Sequence, residues 1–178
     1  KIMEGISGSP WVGFKHFHYM FTASPQFGTI LKNTVIISFY HIMFGFPAPI
    51  ILALLFNELR SKLYARVAQT VTYLPYFFSW VVVTSLAITV LSPSIGVVNM
   101  VVKWFGFEPI YFLADPRYFR TVLISSAIWK DVGYGAIVYL AALASIDPQL
   151  YEAAKVDGVG KWRQLWAITL PSIMPVIA

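Results

Sequence analysis

Residues 33–57 run for 25 positions without a formal charge, and residues 67–102 for another 36. Uncharged apolar runs this long constrain the fold more than any other feature. As helix, the first spans about 37 Å, enough to cross a hydrocarbon core of about 30 Å with some tilt. Pro47 and Pro49 fall inside it; they would break a soluble helix but are tolerated in a span packed against neighbours. The second run is too long for one crossing, and Ser92-Pro93-Ser94 with Gly96 supplies the turn chemistry that ends a span within it. Spans are therefore expected at about 33–57 and 67–91, with 95–107 too short to cross and lying in the interface or re-entering partway. Residues 121–146 give a third span of 26 residues that contains Lys130 and Asp131. If those charges marked the membrane edge, the helix left over would be only about 22 Å long. They lie inside the membrane region, or the helix runs on into a thinned or water-filled zone.

Composition agrees: 58% of residues are hydrophobic and 12% charged, against about 45–50% and 25% in soluble chains. So little charge cannot cover a compact soluble domain, and so much apolar surface excludes a disordered one. Without cysteine there is no disulfide framework, thiolate metal site or cysteine nucleophile. The net charge of +5 comes from Lys and Arg scattered between apolar runs, which suits membrane orientation and not nucleic acid. The chain opens on Lys1 without Met and stops inside a fresh apolar stretch, as expected of an internal piece of a longer protein.

Orientation follows from the connections. Arg60, Lys62 and Arg66 against Glu58 make a compact basic loop, expected in the cytoplasm. The next connection, with Lys103, Glu108, Asp115, Arg117 and Arg120, is longer and more balanced and goes outside. The segment 147–171, with Lys155, Lys161 and Arg163, returns to the cytoplasm, and a fourth span begins at 172. Residues 1–32, rich in Trp11, Phe14, Phe17, Tyr19 and Phe21, form an extracytoplasmic or interfacial segment in contact with membrane lipid.

A loop of 25 residues between spans asks for a reason. Asp147 can cap a helix, Pro148 takes its first position, and Gln149 to Asp157 continue it. Leu150, Ala153 and Ala154 share one face. Gly158 ends the helix by taking the left-handed conformation. From Lys161 a second short helix puts Trp162, Leu165 and Trp166 on one side, an amphipathic docking element.

Glu152-Ala153-Ala154, three residues, Gly158, nine residues, Ile168, one residue and Leu170-Pro171 reproduce the EAA motif. The chain thereby resembles the membrane subunits of bacterial binding-protein-dependent ABC importers. Trp129 with Gly133, the run from Tyr139 to Leu143, Ile146-Asp147-Pro148 and Asp157-Gly158 are similar to the carbohydrate-uptake branch. Ser9-Pro10-Trp11-Val12-Gly13, Asn33-Thr34, Ala53-Leu54-Leu55 with Asn57-Glu58, and Gln69-Thr70 with Tyr73-Leu74-Pro75 resemble its oligo- and polysaccharide permeases.

The resemblance implies an all-α, polytopic transmembrane bundle of the type I ABC importer with a MetI-like permease core, about six spans in the whole subunit. It also implies a multi-pass place in the bacterial plasma (inner) membrane. The expected function is a permease subunit that forms the pathway for oligosaccharides or related carbohydrates. A same-fold permease for an amino acid or anion is the alternative, and a passive channel or scaffold a more distant one. By motif match, Glu152, Ala153, Ala154, Asp157 and Gly158 are the residues that couple to an ATPase. The implied partners are ABC ATPase subunits, a second and different permease chain, and an extracytoplasmic solute-binding protein. The chain itself is not an enzyme and holds no cofactor; ATP and Mg bind the partner ATPase.

Along the path, Tyr76, Trp80, Trp129, Lys130, Asp131 and Tyr134 are the candidates for substrate contact. The aromatic cluster of Tyr73, Tyr76, Phe77, Phe78 and Trp80 either stacks on sugar rings or packs the core and anchors the interface. Lys130 and Asp131 point about 100° apart, so neither pairs with the other, and each takes partners on other helices, at headgroups or in water. Lining the path and structural pairing both remain open for them. His41 reads as a hydrogen-bonded packing residue. Gly133, Gly135, Ala141, Ala144 and Ser145 let helices approach. Gly158-Val159-Gly160-Lys161 is no phosphate loop, because Lys155 and Trp162 stand where Gly and Ser or Thr are needed. No metal-ligand or nucleophile motif appears in the spans.

Overall fold

A computed structural model describes residues 11–59 and 61–177. Ser9, Pro10 and Arg60, used above, lie outside the described residues. Helices carry the whole architecture, and no strand occurs among the described residues. The chain divides into two units, Lys1–Phe39 and Tyr40–Ala178.

In the first unit, α1 (Lys15–Thr22) buries no residue and is amphipathic, with Phe17, Tyr19 and Phe21 exposed. The edge of Phe21 meets Phe27 at 4.8 Å, just where α2 (Phe27–Tyr40) begins.

The second unit opens with a π turn, His41–Gly45, followed by α3 (Pro47–Asn57). Next come α4 (Lys62–Tyr73), a 3-10 turn (Leu74–Phe77), α5 (Trp80–Leu91) and α6 (Val97–Trp104). The long α7 (Pro116–Ala144) leads to α8 (Pro148–Val156), then α9 (Lys161–Gln164), a second π turn (Leu165–Thr169) and α10 (Leu170–Ile177). The core lies where α3, α7 and α10 meet, built from Ile50, Ala53, Ala136, Leu143 and Ile173. Between helices in lipid the hydrophobic effect gives no drive, so close approach by small residues matters. A Cβ on Gly135 would sit 3.2 Å from Pro49 Cβ, and one on Gly133 only 2.0 Å from the Thr72 carbonyl oxygen. Both glycines therefore serve helix contact, while Ala141, Ala144 and Ser145 are exposed.

Among the described residues two helical stretches are long and apolar enough to cross a membrane, Phe27–Asn57 and Pro116–Ala144. The first begins six residues before the expected boundary at 33, because Lys32 is exposed on the helix and a long straight side chain does not end one. The second begins at Pro116, with Asp115 accepting the Arg117 N–H at 2.9 Å as cap. Arg117 also donates to this carboxylate through Nε at 2.9 Å and Nη2 at 2.6 Å, which holds it below the ordinary carboxylate range.

The segment expected to span at 67–91 is broken in two. Lys62–Phe77 and Trp80–Leu91 pass as a span only together, and they are bent by 107°. Pro75 has no N–H to continue the α4 ladder, Phe78 is extended, and Ser79 restarts the helix by accepting the Val82 N–H at 3.4 Å. Around the expected start of the fourth span at 172, helix runs without a break from Lys161 to Ile177 through the second π turn and Pro171. A π turn carries an extra residue, which gives the following proline ring room that an α turn denies it.

The short segment after Gly96 is α6, too short to cross. Its Asn99 is almost fully buried and donates to the carbonyls of Leu91, Ser92 and Ile110 at 3.0–3.2 Å, while accepting the Ile110 N–H at 2.8 Å. One amide thus satisfies four backbone groups and ties the end of α5 to the strand-free loop before α7.

Candidate coupling and pathway sites

The EAA segment folds as its local chemistry dictates. Asp147 accepts the Gln149 N–H at 2.9 Å, and Pro148 opens α8. At the other end Val159 N–H bonds Ala154 C=O at 2.8 Å and Gly158 N–H bonds Lys155 C=O at 3.1 Å, the two bonds of a Schellman motif. Gly158 has φ +72, and nothing lies within 4 Å of where its Cβ would be. A side chain there is opposed by backbone conformation and not by crowding.

Glu152, Ala153, Val156 and Asp157, at i, i+1, i+4 and i+5, form one exposed side, with Val156 87% exposed. Ala154 points inward and is buried. The expected face of Leu150, Ala153 and Ala154 is not shared: Leu150 is 49% exposed and Ala153 is exposed too. The inward stripe is Tyr151 with Ala154, because the Tyr151 hydroxyl meets Thr169 Oγ1 at 2.9 Å, a partner 18 residues away. Gln164, also buried, donates through Nε2 to Val159 C=O at 2.7 Å. These two polar ties bind α8 and its following loop to the helix from Lys161 onward, and neither was visible in local spacing. Trp162 and Trp166, four residues apart on the helix from Lys161 onward, are exposed.

Behind α8 lies a cavity of about 710 Å³, lined by Leu54, Leu55, Tyr151, Lys155, Trp162 and Gln164 among others. An exposed ion pair joins Lys161 to Glu58 at the end of α3. Such a pair contributes little stability, but it sets the two connections side by side.

Of the pathway candidates, the structure brings together five. Lys130, Gly133 and Tyr134 share a stripe of α7 at i, i+3 and i+4 that meets the break between α4 and α5. Lys130 is buried, its Nζ donating to the Tyr76 carbonyl at 2.7 Å and lying 4.9 Å from the Tyr76 ring and 5.9 Å from the Trp80 ring. The Tyr76 and Tyr134 rings stack at 3.9 Å and 6°. The Asp131 side chain is 51% exposed, and its Oδ1 approaches Lys130 Nζ to 3.9 Å. The expectation that these neighbours do not meet is corrected to that extent, since the long lysine stem bends back toward the carboxylate. Trp129 faces elsewhere, onto a second cavity of about 660 Å³ with Val83, Leu86, Phe112, Tyr118 and Ser126. Pro75 is buried under the break and Phe77 is exposed. His41, expected in packing, is exposed on the first π turn.

Residues 45–178 match the family described as "Binding-protein-dependent transport system inner membrane component". The chain is 48% identical over 173 residues to the polygalacturonan/rhamnogalacturonan transport system permease protein YteP of Bacillus subtilis (strain 168), covering 97% of this chain and 54% of that one. It is 36% identical over 155 residues to the lactose transport system permease protein LacF of Rhizobium radiobacter, covering 86% and 51%. A crystal structure of a bacterial ABC transporter involved in the import of the acidic polysaccharide alginate superposes with a TM-score of 0.90 at 51% identity, covering 95% of this chain and 59% of that one. A second structure has the alginate transporter in complex with an alginate pentasaccharide-bound periplasmic protein; its TM-score is 0.90 at 48% identity, covering 99% and 61%. The chain spans about half the length of the curated relatives it matches. With the fold of ABC importer permeases and a family match over residues 45–178, the chain belongs to the binding-protein-dependent transport system inner membrane components.

Proposed function

We propose that this chain is part of a permease subunit of an ATP-driven importer for oligosaccharides or related carbohydrates, multi-pass in a bacterial inner membrane, with α8 as its coupling element. The reading draws on relatives named for polygalacturonan, rhamnogalacturonan and lactose transport, and on the solved alginate importer. One observation carries the coupling role. α8 is fixed at both ends by its Asp147 cap and its Schellman turn and tied on one side through Tyr151 and Ala154, yet it leaves Glu152, Ala153 and Asp157 uncovered. A short stiff helix with an uncovered side suits a cleft in a partner, and small Ala153 allows close seating. The basic loop after α3 stands beside it through the Lys161–Glu58 pair, as a common cytoplasmic side requires.

In this scheme ATP and Mg are held by separate ATPase subunits, and this chain hydrolyses nothing. A solute-binding protein delivers the sugar outside, and a second permease chain completes the path. Closure of the ATPase pulls α8, and through the Tyr151–Thr169 and Gln164–Val159 bonds the pull reaches the helix from Lys161 to Ile177. From there it passes to the core through Ile173, which packs with Leu143 and Ile50. The difference in ATPase affinity between the two permease states is what drives the change. Tyr76, Trp80 and Tyr134 offer ring faces to sugars, and Asp131 offers acceptors to their hydroxyls. Trp129 lines a separate apolar hollow.

The test uses the whole permease pair with its ATPase and binding protein in proteoliposomes. Gly158→Asp is expected to leave insertion and assembly intact, cut uptake at least tenfold and abolish the stimulation of ATP hydrolysis by loaded binding protein. Normal uptake by this variant would sink the coupling assignment.

A further inference from the structure

Among the described residues Lys130 is the one charged residue that is buried. A cation at membrane depth is costly unless protein groups replace its water, so its surroundings state what it is for. Its closest partner is a main-chain carbonyl, that of Tyr76 at 2.7 Å. Tyr76 lies in the 3-10 turn Leu74–Phe77, and the chain leaves that turn at Phe78, which is extended. Phe78 N–H takes the Pro75 carbonyl at 3.1 Å. The next carbonyl, at a helix C-terminus where cations are favoured, is the one the lysine takes. The two rings near the ammonium belong to opposite sides of the break, Tyr76 before it and Trp80 after it. One turn further along the same stripe, Gly133 brings α7 into backbone contact with Thr72, ahead of the break. Among the described residues the carboxylate that approaches the ammonium is that of Asp131, which stands at 3.9 Å with its side chain half exposed.

We infer that Lys130 is a positioning residue. Its ammonium clamps the 107° bend between α4 and α5 by bonding the Tyr76 carbonyl and lying against the Tyr76 and Trp80 rings, and it is not a receptor for anionic groups on the substrate. The aromatic surface of Tyr76, Trp80 and Tyr134 is thereby held at a fixed place on α7. The role of that surface in transport rests on the permease reading above; the clamp itself does not.

The experiment uses the full-length permease in its complex, in lipid nanodiscs, with spin labels at V71C on α4 and I88C on α5, both exposed positions. With Lys130 present the distance across the bend is expected to be a single narrow population. Lys130→Met is expected to broaden it and cut uptake at least tenfold, while the uptake ratio between a uronate-bearing and a neutral oligosaccharide stays within twofold of the parent. Lys130→Arg is expected to restore the narrow distance, because a guanidinium reaches a carbonyl and stacks on rings. An unchanged narrow distance in K130M, a tenfold change in the uronate-to-neutral ratio, or a broadened K130R each overturns the inference. If K130M does not assemble, K130R decides alone by the same criterion. If the parent complex moves no carbohydrate, the permease reading falls while the distances still judge the clamp.

Discussion

Pro47 and Pro75 sit in comparable apolar helical runs, yet the helix carrying Pro47 continues from Phe27 to Asn57 while the one carrying Pro75 turns through 107°. The difference lies in the turn that precedes each ring. Pro47 and Pro49 follow the π turn His41–Gly45, and Pro171 follows the π turn Leu165–Thr169. In a π turn the pairing has already slipped by one residue, so a missing N–H and a bulky ring are absorbed without ending the helix. Pro75 sits in a tightened 3-10 turn instead. The α4 ladder stops with Leu74 N–H on Thr70 C=O, Phe78 extends, and Ser79 starts a new direction. Widening the turn keeps a proline helix going, and tightening it makes a corner.

The comparison can be broken most severely at the contact that fixes the corner. Gly133→Val would drive a side chain into the Thr72 carbonyl, and overpacking against backbone costs about 1–3 kcal/mol, which lowers the apparent melting temperature by several °C. Thermal unfolding of the detergent-solubilised complex checks it, and a wild-type melting curve would mean that α4 and α7 do not touch there. A smaller effect is expected of Pro75→Ala. Its restored N–H lets the α4 ladder extend, so the distance between labels at 71 and 88 should lengthen, while Pro47→Ala should leave that distance alone. An unmoved distance in P75A would assign the corner wholly to the contacts with α7.

The smallest effect concerns Asp115, the cap of α7, outside the span. Arg117 lowers its folded pKa, so the stabilisation is full above the unfolded value of about 4 and is lost as pH falls through the carboxylate range. The melting temperature of the parent should exceed that of Asp115→Asn at pH 7, and the gap should close toward pH 3. A gap that persists in acid would remove the ion pair from the account.

The helical stretch before the corner was legible because a run of uncharged residues is itself a measurement of length, whereas the one after it had to be read through Lys130 and Asp131. Helix α8 was legible from Asp147-Pro148 at one end and Gly158 at the other, residues whose backbone chemistry acts locally. The corner was not, since Pro75 and Pro47 look alike in sequence while π and 3-10 turns are chosen by packing. Ser79, a helix-capping residue just before an apolar run, was the available signal. The inward role of Tyr151 and the fourfold bonding of Asn99 depended on partners distant in sequence, which periodicity does not report. Lys130 was legible as an exceptional residue, but its partner is a carbonyl 54 residues away, and every residue has a carbonyl.

Asn99 bears on the order in which the chain takes shape. Its four partners lie 7 to 11 residues away, so closing them needs only short loops, which form fast. The segment from Leu91 to Ile110 therefore closes on its own partners and draws on no residue of α7. The far end of α5 is thus a self-contained piece against which α7 can pack.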